Sequence, residues 1–376
     1  MEYTTIGESC SVVSGGTPSR SKTEYWRNGT IPWIKIGNIK SKYVNEYDEL
    51  ITEQGLNNSS AKLLKKGTIL YTIFATLGEA GILDTEACTN QAIAGININD
   101  PRITTDYLYY YLKSKKDYVN NIGRGVAQNN INLTTLKKFE IPLINVDKQL
   151  YIVEVLEKVE RMIGLKKKEI DDLDLLIKAR FVEMFGDPVI NSMRWPEVLI
   201  GDNCFVTKLA GFEYTQYINY EDSGDVVMVK AQNVKNGKLN RKELSFISKK
   251  VSDSLPRSQL EPGDVVMTYV GANIGDVAVI DNEYKYHLAP NVAKIRPDAE
   301  VYDSIYFAYM LLFLNSYIVK NSADTAKAAL GMDRIRKLHV FVPPIDIQRK
   351  FSEFIKQIDK SKLAVQQSLE KNTTVI

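Results

Sequence analysis

The chain is poor in the residues from which metal sites and disulfides are made. Three cysteines (Cys10, Cys88, Cys204) and two histidines (His287, His339) are scattered through 376 residues with no ligand-like spacing, so neither a disulfide framework nor a zinc site is supported. No run of about eighteen apolar residues exists, and the N-terminus MEYTTIGESC has no basic stretch leading into an apolar one. A cytoplasmic protein is expected, neither secreted nor membrane-spanning. Neither sign of charge dominates, since 48 Lys and Arg stand against 46 Asp and Glu. Any nucleic-acid surface must therefore come from local clustering. Catalytic signatures are missing as well: there is no GxSxG, HExxH, CxxC or Walker lysine. The glycines of GEAG (Gly78–Gly81) and GANIG (Gly271–Gly275) lack the GxGxxG spacing of a dinucleotide site.

What is present begins with one long helix. Asp147 to Phe185 contains no proline and a single glycine, Gly164, a helix-forming composition. Leu156, Val159, Ile163, Lys166, Ile170, Leu173, Ile177, Arg180 and Met184 alternate steps of three and four, the rhythm of a coiled-coil seam. Lys166 and Arg180 place charge in that seam. From Ile347 to about Lys371 a second helix keeps the rhythm through Phe351, Ile355, Ile358, Lys362, Val365 and Leu369. Each helix is entered through a proline-bearing apolar strand, IPLI (Ile141–Ile144) and FVPPI (Phe341–Ile345).

The stretches ahead of the two helices also match, about 195 to 201 residues apart. VMVKAQNV repeats PWIKIGNI, setting Lys230 over Lys35 and Asn233 over Asn38. Gly263 falls over Gly67 and Gly275 over Gly78, each in a turn ahead of or between apolar runs, where glycine serves the backbone rather than a phosphate. The helical stretches Asp106–Ile122 and Ile305–Asn321 follow, then a polar loop (Gly123–Leu136 in the first copy). The period is too long for a solenoid, so one domain-plus-helix unit is duplicated. The expected fold is α/β (α+β): two similar globules separated by two long antiparallel coiled-coil helices. The boundaries are 1–145, a spacer helix 146–186, 187–345, and a C-terminal helix 346–376.

Candidate binding residues sit in the loops: Arg20, Lys22, Lys35, Asn38, Arg124, Gln128 and Asn129 in the first copy, and Lys230, Gln232, Asn233, Asn273 and Lys327 in the second. Asn and Gln can pair bidentately with adenine and Arg or Lys with guanine. Basic side chains at strand ends can also meet phosphate. VPPI (Val342–Ile345) looks like the NPPY-type motif with which adenine methyltransferases hold a base. Val342 replaces its polar residue and Ile345 its aromatic one, so a strand-to-helix corner is the simpler account.

In its SGGTPS opening (Ser14–Ser19), its paired Lys-Gly and Pro-Gly turns, FVPPIDIQRKF (Phe341–Phe351) and RFVEMFGDP (Arg180–Pro188), the chain resembles the specificity subunits of Type I restriction–modification enzymes over its whole length. The first copy departs from the PPxxxQ pattern, reading IPLINVDKQ with Leu143 for the second proline and Gln149 displaced. The resemblance implies two target-recognition domains, each reading one half of a bipartite double-stranded DNA site. The subunit would be non-catalytic and without a cofactor of its own. S-adenosylmethionine, ATP and Mg would belong to two methyltransferase subunits that methylate adenine and to two translocase–nuclease subunits that add restriction. Two other readings stay open: a fragment of a fused methyltransferase–nuclease, and a coiled-coil scaffold that does not bind DNA.

Overall fold

A computed structural model describes residues 2–123, 130–322 and 329–373. The duplication is realised as two compact units, one built on the residues up to Gly164 and the other on Leu165–Glu370. In the first, Cys10–Ser14, Ile93–Ile98, Ile69–Thr72, Ala80–Leu83 and Tyr43–Val44 form one sheet in that order, and Glu49–Ile51, Ile31–Ile34 and Cys88–Thr89 a second. In the second unit the order is Cys204–Lys208, Val292–Pro297, Val265–Thr268 and Val277–Val279, with Phe246–Ile247, Val226–Val229, Lys285–Leu288 and Gln259–Leu260 alongside as another sheet. In both units the central strands are apolar on both faces and fully buried, which is why they read as continuous runs rather than alternating ones.

The interval between copies grows along the chain. Cys10 and Cys204 open equivalent strands 194 residues apart, Ile69 and Val265 are 196 apart, and from Cys88 and His287 onward the offset stays at 199. The expected interval of 195 to 201 is corrected accordingly: every length difference falls before Cys88, in the connections between early strands.

The turn glycines are required by their backbone. Gly67 and Gly263 have φ of +89° and +91°, Gly78 and Gly275 +82° and +85°, conformations that a β-carbon disfavours. At Gly78 a β-carbon would also lie 2.9 Å from the Lys116 Cα. That close approach goes with a break in the helix expected over Asp106–Ile122, which is two helices, Thr105–Ser114 and Lys116–Gly123. The second copy repeats the break as Ser304–Phe313 and Asn315–Ser322.

The central helix runs Val146–Phe185 and the C-terminal helix Ile345–Thr373. Every seam residue expected in them, the charged ones included, is buried or half-buried. In the second unit Phe181 packs on Phe351 with ring centroids 5.5 Å apart, while Asp174 pairs with Lys362, so the two helices run antiparallel there. Phe181, Phe185, Tyr306 and Phe351 are wholly buried together. The VPPI stretch is the strand-to-helix corner, between His339–Phe341 and the C-terminal helix.

One buried side chain fastens each helix to its own globule. Gln348 is fully buried. Its Oε1 accepts from the Asp303 N–H at 2.9 Å, and its Nε2 donates to the carbonyls of Val301 (3.0 Å) and Pro343 (2.8 Å). Gln149 is equally buried and makes the same three bonds, to Thr104 N–H, Arg102 C=O and Ile144 C=O. All partners are 199 residues apart. Gln149 is therefore not displaced, and the first copy carries Asn145 in place of Pro344. Asn145 caps the helix by accepting from Asp147 N–H at 2.7 Å, the position where proline pre-sets the first turn in the other copy.

Losing this amide leaves buried donors and acceptors unpaired. Gln348→Ala should destabilise the second unit by about 3 kcal/mol and Gln149→Ala the first. Urea unfolding would report this through Trp195 for the second unit and Trp26 and Trp33 for the first. A loss below about 1 kcal/mol in both would show that the amide does not hold the helix.

Candidate nucleic-acid interface

The strand expected over Ile31–Ile39 stops at Ile34, and Lys35 opens a tight turn that closes at Asn38. Lys35 N–H donates to the Asn38 Oδ1 at 2.9 Å, and Asn38 N–H returns to the Lys35 carbonyl at 3.0 Å. Val226–Val229 ends in the same way, with Lys230 N–H on the Asn233 Oδ1 at 3.1 Å. Asn38 and Asn233 are buried. Their remaining amide hydrogens go to Asp48 and to the carbonyls of Asn240 and Lys242. These two residues hold the turn that presents the lysine; their amides are committed inside the protein and do not face a ligand.

In the first unit the structure gathers several of the expected residues into one charged cluster. The Arg20 guanidinium lies 3.6 Å from the centre of the Trp26 ring and 5.0 Å from that of Trp33. It is also 2.5 Å from a Glu49 carboxylate oxygen. The other oxygen of Glu49 accepts from Lys35 at 2.7 Å, and Asp48 lies 3.6 Å from the same ammonium. Both indoles are anchored, Trp33 to the Gly16 carbonyl and Trp26 to that of Ser19, so the SGGTPS loop is what fixes the ring under Arg20. Lys22 donates to the Tyr25 hydroxyl at 2.9 Å beside this cluster. The bond to Arg20, reinforced by Lys35, keeps the Glu49 carboxyl below its ordinary value, and the bond to Glu49 holds Lys35 above its own.

The second unit lacks that neutralisation. Lys230 donates to the Ser245 hydroxyl at 2.9 Å and lies 5.9 Å from the Tyr220 ring. Among the described residues it makes no ion pair. Gln232 is exposed and donates to Glu243 at 3.3 Å. Asn273 is exposed on the separate turn between Val265–Thr268 and Val277–Val279 and is not joined to Lys230. Arg124, Gln128, Asn129 and Lys327 lie outside the described residues. The edges of their loops are placed, because Asn130 bridges Phe74 and Ala329 bridges Val270. In each unit the polar loop thus starts back along the turn between the same two strands.

The groups that position these cations and amides, Trp26, Trp33, Asp48, Glu49 and Ser245, are not among the residues expected from the sequence. The spacing of Arg20, Trp26 and Trp33 was visible. The carboxylates carried no signal until strand pairing set Glu49 opposite Trp33. Among the described residues no cluster of His, Cys, Asp and Glu could hold a metal, and no helix is long and apolar enough to cross a membrane.

A twice-used α/β scaffold whose strand ends present cationic and aromatic side chains defines a modular binding protein with two similar recognition units. The model of the Type I restriction modification DNA specificity domain matches residues 1–175 and again 195–372, and the chain belongs to that family. It is 26% identical to the Type I restriction enzyme MjaIX specificity subunit of Methanocaldococcus jannaschii, covering 94% of this chain and 84% of that one. Its identity to the EcoR124I/EcoR124II specificity subunit of Escherichia coli is 29%, over 43% of this chain and 41% of that one. Among solved structures, a chain from a study of complex assembly and conformational transition of the type I R-M system superposes with a TM-score of 0.66 at 16% identity, covering all of this chain and 95% of that one. The S subunit from M. genitalium gives 0.55, also at 16% identity, with coverage of 100% and 93%.

The Glu49 cluster yields a pH prediction. Because its folded-state pKa lies below the ordinary 4.5, the stabilisation it gives is complete above that pH and is lost as pH falls through the lowered value. Acid titration followed by tryptophan emission should show a step below pH 4.5 that Glu49→Gln abolishes. An identical step in the variant would place the transition elsewhere.

Proposed function

We propose that the chain recognises a bipartite site in double-stranded DNA, one half per repeat, and directs adenine methylation and cleavage carried out by partner subunits. The observation that carries this is the pair of equivalent lysine-bearing turns, Lys35–Asn38 and Lys230–Asn233, one in each copy of the specificity domain. In this reading Lys35 and Lys230 meet phosphates and fix register, while Arg20, Gln232 and Asn273 reach base edges. Arg124, Gln128, Asn129 and Lys327 are further candidates for contact with DNA. The subunit contributes no chemistry; S-adenosylmethionine, ATP and Mg sit on two methyltransferase subunits and two translocase–nuclease subunits.

The partners have a surface to dock on. The central helix exposes large apolar side chains in each half: Leu150, Tyr151 and Met162 before Gly164, and Leu165, Leu175 and Leu176 after it. Solvated helices of this length rarely leave so many uncovered, and a methyltransferase subunit that buries them accounts for their presence.

Two outcomes are expected. The purified chain without partners should turn over no labelled S-adenosylmethionine; methyl transfer by it alone would overturn the reading. In the assembled enzyme, exchanging residues 1–145 for those of a relative should change one half of the methylated site and leave the other. A methylation map altered in both halves would contradict separate reading by the two repeats.

A further inference from the structure

Strand pairing makes Glu49 and Ser245 equivalent residues. Ile31 pairs with Ile51 and Trp33 with Glu49; Val226 pairs with Ile247 and Val227 with Phe246, and the Met228 N–H continues that register to the Ser245 carbonyl. Each faces the lysine that opens the shared turn, Lys35 in one copy and Lys230 in the other. The strand pair, the turn and the lysine are shared by both, but the opposing group is a carboxylate in one and a hydroxyl in the other. That difference decides what the lysine offers to a polyanion. A carboxylate at 2.7 Å offsets the Lys35 charge and also engages Arg20, so an incoming phosphate must displace it. A hydroxyl at 2.9 Å accepts from Lys230 without removing its charge.

We infer that this one position divides the work between the repeats: Lys230, opposite Ser245, grips duplex DNA of any sequence, while Glu49 keeps Arg20 and Lys35 from binding unless the duplex presents acceptors that replace it. Glu49 is thus a positioning and specificity residue. Arg20, flattened on Trp26 and more than half exposed, is the group it releases. The two-carbon difference in reach and the unit of charge set the two lysines apart without altering the turn that carries them. Deepening the DNA reading proposed above, the inference rests on it.

The test uses the full chain assembled with its methyltransferase partners and two duplexes, one carrying the site defined by the methylation map and one of random sequence. Binding is titrated between 50 and 200 mM KCl. Each phosphate contact contributes about 0.9 to the salt slope, or about threefold in affinity across that range. Ser245→Glu should lower the slope by about one and weaken binding to both duplexes alike. Glu49→Ser and the closer isostere Glu49→Gln should raise the slope by about one and tighten the random duplex more than the specific one, narrowing their ratio. Unchanged slopes in Ser245→Glu and Glu49→Gln would overturn the division of labour. Failure of the unaltered complex to bind either duplex at any salt would instead remove the DNA reading, and this inference with it.

Discussion

Everything the two globules do depends on a glutamine that water never reaches. Gln149 and Gln348 each stand one turn into a long helix and spend their amide on two segments at once: the strand-to-helix corner, and the stretch that leads into and caps the helix Thr105–Ser114 or Ser304–Phe313. A buried amide is tolerated only when its donors and acceptor are all matched. The geometry it accepts is therefore narrow, and the globule's angle to its own helix is set by directional bonds rather than by apolar contact alone.

Further along the helices the same fastening is renewed by charge. Glu157 and Glu160 reach back to Lys42, Tyr110 and Lys113, and Asp359, one interval after Glu160, pairs with Lys238. Partly exposed pairs of this kind stabilise little. Only the acidic position recurs, as Glu160 and Asp359, and its lysine comes from a helix in one copy and a strand in the other, while the aromatic cluster of Phe181, Phe185, Tyr306 and Phe351 supplies the larger burial.

The duplication, the seam and the turn glycines were legible because each obeys a local rule: periodicity for the helices, φ for the glycines. Lys35 over Lys230 was legible for the same reason. The register of the glutamine was not. Proline is the more conspicuous letter, and aligning on Pro142 hid that Asn145 performs the work of Pro344. Asn38 and Asn233 misled in another way, since an amide that caps a buried turn and one that reads a base are the same residue in a sequence. Glu49 could not be found at all without the pairing of two strands eighteen residues apart in chain numbers, from Ile31 to Glu49.

The constant interval beyond Cys88 bears on how such a chain can change. From that residue forward the two copies hold matching strands, helices and corners at one fixed distance, with no insertion or deletion among them. A crossover that joins any point beyond Cys88 to its counterpart in the other copy would remove or add 199 residues, one whole repeat. Every strand would still find a neighbour of the right length. Rearrangement within the gene can therefore yield chains with a different number or combination of repeats, each keeping its strands, helices and corners in register.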